Sequence, residues 1–99
     1  MFKKKLKFRD LVGKTLLVGI TYYTKKGEEI EQKQFYGKVI SANDSGITLL
    51  QNNGNKLELP PDLSSTKKAP HGEYRLHSTG EVVDDPDFLS TWKLYKTNE

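Results

Sequence analysis

The stretch "FYGKVISANDSGITLLQNNGNKLEL", residues 35–59, contains three short apolar segments separated by two turn sequences. The Asn-Gly pair at residues 53–54 is typical of a two-residue β-hairpin turn, and "ANDSG" combines the Asn, Asp and Gly that stabilise turns. Around the turns, apolar and polar residues alternate, as Leu57 and Leu59 do on either side of Glu58. This period-two pattern predicts three consecutive β-strands joined by tight turns.

Strand signals continue on both sides of this stretch. Upstream, residues 15–24 are rich in β-branched and aromatic residues, which favour strands. Downstream, residues 73–77 and 90–96 alternate again, and the second of these is predicted to be the last strand. The side chains predicted to face the core are Leu16, Val18, Ile20, Tyr22, Tyr74, Leu76, Trp92 and Leu94.

Three segments depart from the strand pattern. Residues 60–72 are predicted to be a loop holding one helical turn at 62–65, because two adjacent prolines cannot continue a sheet ladder. Residues 78–88 are expected to form a turn that Asp87 caps, returning Phe88 to the core. In "KFRDLVGK", the apolar residues Phe8, Leu11 and Val12 have helical spacing and predict a short helix.

Five or six short strands in 99 residues are too few for two thick sheets. The expected fold is all-β, a strongly bent sheet that closes into a small barrel and so removes its exposed edges, with one short N-terminal helix. Gly19 and Gly37 lie inside predicted strands, where the missing side chain permits a bend. The length predicts one domain, residues 8–99, preceded by a basic leader at residues 1–7.

The order of helix, "GKTLLV", Gly-tipped turn, "FYGKVISAND" and "GITLL" resembles the first half of the Sm-like fold. Gly27, Gly37 and Asp44 occupy matching places, and the resemblance covers residues 8–59. The loop that binds RNA in that family carries an aromatic or Met followed by Asn, whereas this chain has "DSGIT". The Arg-Gly motif of the family is only approximated by "YRLHSTG" (74–80). The resemblance therefore implies an Sm-like or SH3-like barrel without the RNA pocket.

The net charge of +3 is unevenly distributed. Residues 1–26 contain eight of the sixteen basic residues and one of the thirteen acidic ones, so the basic excess belongs to the N-terminal quarter. Such a segment attracts phosphate backbones or an acidic protein, and it is equally typical of a solubilising tail. Candidate nucleic-acid contacts are Lys3, Lys4, Lys5, Lys7, Arg9, Lys25 and Lys26.

Adjacent aromatic residues place one ring on each face of two predicted strands. If these strands pair, Tyr23 and Tyr36 share an outer face near Lys33 and other lysines. Stacking rings with basic neighbours bind single-stranded nucleic acid, and tyrosines are also enriched in protein interfaces. Glu28, Glu29 and Glu31 beside the lysines weaken a phosphate track, which favours a protein partner. The lysines expected near Tyr23 and Tyr36 are Lys25, Lys26, Lys33 and Lys38.

Both histidines and several aspartates lie within residues 71–88. His71 and His77 are six positions apart with no cysteine nearby, a spacing that does not suit zinc, and the aspartates do not fit a calcium loop. Arg75 and His77 share one strand face, but that face is opposite the predicted core, so they point away from any enclosed pocket that catalysis needs. They are therefore candidate contacts for a partner.

Together these patterns predict a non-enzymatic binding module that acts through protein–protein contact, as an accessory subunit or a small inhibitor or immunity-type protein. Its candidate partner contacts are Tyr23, Tyr36, Arg75 and His77. The alternatives are an RNA- or single-stranded nucleic-acid-binding barrel and an enzyme or metal protein built on residues 71–87. No cofactor and no membrane contact are expected. The lack of cysteine predicts a cytoplasmic location, and a last strand that covers the sheet edge favours a monomer.

Overall fold

A computed structural model of the chain describes residues 6–76 and 79–95, and strands dominate it. The all-β class with one short N-terminal helix is thereby confirmed. The described elements are α1 (Phe8–Leu11), β1 (Thr15–Tyr23), β2 (Glu29–Asn43), β3 (Gly46–Gln51), β4 (Lys56–Leu59), β5 (Thr66–Lys68), β6 (Glu73–Arg75), β7 (Val82–Asp84) and β8 (Phe88–Tyr95).

Six of the strands form one sheet in the order β4-β3-β2-β1-β8-β5, and β6 and β7 form a separate hairpin. Neighbours pair antiparallel except β1 and β8, which run parallel. Among the described strands no ladder joins β4 to β5, so the closed barrel stays a prediction. No helix in the described ranges has the length and apolar character needed to cross a bilayer.

Strand pairing is local on one side of β1 and distant on the other. The β1–β2 hairpin turns at Thr24, whose hydroxyl accepts hydrogen bonds from the amides of Lys26 and Glu28. The parallel partner β8 is reached only after the chain has formed every other strand, because parallel strands need a crossover connection. Local turn signals therefore reveal the first pair and not the second.

The helix α1 is one turn long, and Asp10 caps its start. The Asp10 carboxylate accepts a hydrogen bond from the Lys7 amide at 2.9 Å, and the Asp10 amide donates to the Lys7 carbonyl. Leu11 is fully buried, but Val12 is already extended and is 46% exposed. The expectation that Val12 extends the helix and its apolar face is wrong, since Gly13 turns the chain so that its amide reaches the Val39 carbonyl.

Two separate apolar clusters stabilise the sheet, one on each face. The smaller cluster, hereafter the second core, consists of Leu17, Leu76 and Val83, with Tyr36, Tyr74 and Leu89 packed around it. It lies between the sheet and the β6–β7 hairpin. Consequently β1 is buried on both faces near its start, which a simple alternating pattern does not reveal. The main core on the other face comprises Leu11, Leu16, Val18, Ile20, Val39, Ile47, Leu49, Leu59 and Phe88, with Tyr22, Leu57, Trp92 and Leu94 packed against it.

Two segments expected to lack strands contain one each. The predicted loop 60–72 includes β5, and its expected helical turn at 62–65 is instead a β-turn in which the Thr66 amide donates to the Leu63 carbonyl at 3.1 Å. The predicted turn 78–88 includes β7. Both strands are three residues long, and pairing with β8 or β6 rather than any sequence alternation defines them.

Candidate functional site

The candidate site lies on the face of the sheet that carries the second core, hereafter the outer face. Past the β6–β7 hairpin, β2, β1 and β8 continue side by side as a three-stranded extension. Gly19 lies between Gln34 and Thr91 in the register. Two residues further along β1, Thr21 lies between its own neighbours on β2 and β8. The outer-face residues of this extension are Gly19, Thr21, Tyr23, Glu29, Gln32, Gln34, Thr91, Lys93 and Tyr95.

The far end of the extension carries a stacked pair of tyrosines. Parallel pairing aligns Tyr23 with Tyr95, and the ring centroids are 5.2 Å apart with planes inclined by 25°. Tyr95 is 58% exposed. Lys25 and Lys26 are exposed at the adjacent β1–β2 turn. The site therefore presents a stacked aromatic surface with basic residues beside it.

Tyr36 lies at the opposite end of the same face. It is paired with Leu17 and packs into the second core beneath the β6–β7 hairpin. Six register positions separate Leu17 from Tyr23, about 20 Å at the usual strand rise. Tyr23 and Tyr36 thus share one face of the sheet but lie at opposite ends of it, and the ring that stacks on Tyr23 is Tyr95. The sequence does not indicate Tyr95 as a site residue, because a parallel partner strand leaves no local signal.

Two adjoining depressions cross the outer face. One of about 230 Å³ lies over Gly19 and is lined by Gln32, Gln34 and Thr91 among others. The other, of about 450 Å³, lies against β8. Thr21 and Thr91 line both, so the two form one shallow trough across the extension. Besides these two threonines, the residues lining the second depression are Asp62, Ser64, Ser65, Trp92 and Lys93.

The basic residues proposed to contact nucleic acid do not form one track in the described structure. Lys7 and Arg9 lie at α1, before β1 begins, whereas Lys25 and Lys26 lie just past its other end. The nine residues of β1 separate these pairs by about 30 Å. The remaining candidates, Lys3, Lys4 and Lys5, lie outside the described residues.

Lys33 was expected near the outer-face tyrosines, but it lies on the opposite face of β2. It pairs with Ile20 and so belongs to the face of the main core. There its ammonium lies 5.9 Å from the centroid of the Tyr22 ring and 3.9 Å from the Glu31 carboxylate. These contacts hold Lys33 on the face of the main core. On the outer face of β8, the lysine is Lys93.

The described residues 71–76 and 79–88 contain the two strands of the β6–β7 hairpin and the return to β8. Arg75 is exposed on β6, and its guanidinium donates to the Gly80 carbonyl at 3.3 Å. Its expected companion His77 lies outside the described residues. The fully exposed His71 imidazole is 3.6 Å from the Asp85 carboxylate. Within residues 6–76 and 79–95, no three potential metal ligands cluster.

Asp87 connects the starts of β1 and β8. Its carboxylate accepts hydrogen bonds from the Thr15 amide at 2.9 Å and the Thr15 hydroxyl at 3.1 Å, and its own amide donates back to Thr15. The bond from the Thr15 amide is the main reason that the pKa of Asp87 is lowered. Phe88 is buried as expected, but Asp87 caps a strand 72 residues away rather than its own turn.

This connection predicts a pH-dependent stability. Because the folded state lowers the pKa of Asp87, the ionised carboxylate stabilises the fold above the ordinary pKa of 3.8, and this stability is lost as the pH falls through the folded value. We expect Asp87→Asn to lower the free energy of unfolding by about 1 kcal/mol at pH 7, since the group is mostly exposed.

Urea unfolding between pH 7 and pH 3 measures the effect. The difference between the wild type and Asp87→Asn should shrink as the pH falls. Asp84→Asn, which removes an exposed carboxylate from β7, is the matched control. A difference that stays constant with pH would show that the lost stability does not come from the carboxylate charge.

The geometry leaves the outer-face trough and the stacked Tyr23–Tyr95 pair as the surface best suited to binding. Comparisons with protein families, with characterised proteins and with solved structures found no match to this chain.

Proposed function

We propose that the protein is a non-enzymatic binding module that acts through protein–protein contact, as an accessory subunit or a small inhibitor or immunity-type protein. The observation that carries the proposal is the stacked pair of the exposed Tyr95 and the half-buried Tyr23 at the end of the outer face. A stacked pair on paired strands has little rotamer freedom left to lose on binding, and tyrosine combines apolar area with a polar tip.

The neighbouring charges favour an acidic partner surface. Lys25 and Lys26 lie at the turn next to the rings, and Lys93 precedes Tyr95 by two positions on the same face. Such charges steer encounter and select a partner of complementary sign more than they add affinity. Glu28 at the turn and Glu29 at the start of β2 limit the positive area to a small patch.

The proposed fold for this module is a small Sm-like or SH3-like barrel in the cytoplasm. Support for the barrel comes from the main core, in which side chains of α1 and of strands β1, β2, β3, β4 and β8 meet in one cluster. A flat sheet of that width does not bring distant strands together, whereas a strongly bent one does. The lack of cysteine supports the location.

An RNA- or single-stranded nucleic-acid-binding role is the second candidate, favoured by the tyrosine stack beside Lys25 and Lys26. It is weaker because Lys7 and Arg9 lie at the other end of β1. Fluorescence anisotropy with single-stranded oligonucleotides at low and high salt distinguishes the two roles, since phosphate contacts lose affinity steeply with salt. Salt-sensitive binding that Tyr95→Ala abolishes would replace the protein-binding proposal.

The proposal predicts that Tyr95→Ala weakens partner binding about 30-fold, the loss typical of a central tyrosine in an interface. The tagged wild type should retain a protein from native lysate, and titration of that protein measures the affinity. Val82→Ala is the matched control, because Val82 is also exposed but lies on β7. If both variants retain the partner as the wild type does, or if the wild type recovers only itself, the proposal is wrong.

A further inference from the structure

The strand β8 is covered along only part of its outer side. Its partner β5 pairs with Phe88, Leu89 and Ser90, and the β5–β8 ladder ends there. The last five residues of β8, from Thr91 to Tyr95, pair with β1 on one side only, as far as the described chain extends. We call this stretch the open edge of β8.

The backbone groups at the open edge can be identified from the ladder. The Ala69 amide donates to the Asp87 carbonyl, so Asp87 directs its carbonyl towards β5. Alternate residues of an antiparallel pair face the same neighbour. Thr91, Lys93 and Tyr95 therefore direct their amides and carbonyls outward, and each of the three side chains is exposed on the outer face.

The residues just before β5 turn away from β8 instead of extending β5 along it. The Leu63–Thr66 β-turn redirects the backbone, and the Ser64 amide donates to the Asp62 carboxylate at 2.9 Å. Leu63 packs against the main core and holds the turn. The result is the depression of about 450 Å³ against β8, in the position that an extension of β5 would occupy.

We propose that an extended acidic peptide segment of a partner protein adds to the sheet at the open edge of β8, antiparallel to it and in line with β5. Main-chain hydrogen bonds to Thr91, Lys93 and Tyr95 supply affinity in such strand addition. This inference rests on the protein-binding function proposed above and names the form of its partner.

Charge selects the occupant. A peptide residue directly opposite Lys93 lies on the same face within reach of its ammonium, so a Glu or Asp there is favoured. Lys67, exposed on β5 and aligned with Leu89, adds a second positive charge to that face. A second copy of this chain is disfavoured, because antiparallel pairing of two β8 edges about Lys93 places like charges opposite each other.

Amide hydrogen exchange of the free protein is the first test. The amides of Thr91, Lys93 and Tyr95 should exchange quickly, whereas those of Trp92 and Leu94, which face β1, should be protected. Slow exchange of the first three at every protein concentration would mean that another segment of this chain covers the edge. Exchange that becomes slower as the protein concentration rises would mean that a second copy covers the edge. Either result overturns the proposal.

The second test selects ligands from a phage-displayed library of random heptapeptides. Selected peptides should contain an acidic residue, and binding should slow exchange at Thr91, Lys93 and Tyr95. Lys93→Glu should weaken these peptides at least tenfold and shift selection towards basic sequences. Lys56→Glu makes the same charge change on the edge strand β4 and should have no effect. Recovery of no peptide, or of peptides indifferent to Lys93→Glu, rejects strand addition.

Failure here is separable from failure of the proposed function. A lysate partner that requires Tyr95 but leaves the exchange of Thr91 and Lys93 unchanged in the complex would keep the protein-binding function and reject the strand addition. Absence of any protein partner would reject the protein-binding function, and with it the strand addition.

Discussion

Replacing Gly37 by alanine should cost about 3 kcal/mol of folding free energy, the upper part of the range for overpacked sites. Gly37 is buried in β2, where β3 passes close to it. An added Cβ would lie 2.7 Å from the carbonyl carbon of Leu50 and nearer still to its oxygen. Because these are backbone atoms of a paired strand, the contact is relieved only by separating β2 from β3.

Gly19→Ala is the matched control, since both glycines lie inside strands. A Cβ at Gly19 meets no atom within 4 Å, so this variant should stay within about 0.5 kcal/mol of the wild type. Thermal unfolding should separate the two variants by about 15 °C. Equal melting temperatures would show that β3 adjusts to the added methyl group and that the close approach does not constrain the sheet.

Leu76→Ala should cost about 2 to 3 kcal/mol and should act on one part of the molecule. Leu76 is 3% exposed and forms the second core with Leu17 and Val83. With so few fully buried members, this cluster has little apolar area to compensate for a cavity. We expect the β6–β7 hairpin to separate from the sheet while the main core stays folded, which is a local opening rather than global unfolding.

Amide exchange measures this directly. The amides of Tyr74 and Val83 should lose protection in Leu76→Ala, and those of Val18 and Leu49 in the main core should keep it. Val82→Ala, on the exposed side of β7, should change neither group. If protection falls equally in both cores, the hairpin and the sheet unfold as one unit.

Alternation predicted six of the eight described strands, including β2, β6 and β8. Strands β1, β3 and β4 were expected, and the inward positions of Leu57 and Leu59 are confirmed, because tight turns bring each hairpin together. Strands β5 and β7 were missed. Each has three residues, too few for a periodic signal, and pairing with β8 or β6 defines it.

The candidate site was only partly predicted, because its two tyrosines lie on strands that are far apart in the sequence. Tyr23 was expected on an outer face, and it lies there. Tyr36 was expected on the same face and lies there too, but the ring that stacks on Tyr23 is Tyr95, whose strand is distant along the chain. The contact of Asp87 with Thr15 was also beyond sequence reasoning, since an aspartate before a strand suits a local turn equally well.

By itself the sequence determined the all-β class, the positions of the hairpin turns and the alternation that buries one face of each longer strand. These follow from backbone preferences and side-chain periodicity, which act over a few residues. Only the tertiary structure decided that β8 runs parallel to β1, that the β6–β7 hairpin covers the start of the outer face, and that β5 stops after three residues. Each of these features depends on packing between segments that are distant in the sequence, and no local pattern reports such packing. Those contacts also align Tyr23 with Tyr95 and leave the edge from Thr91 to Tyr95 open among the described residues.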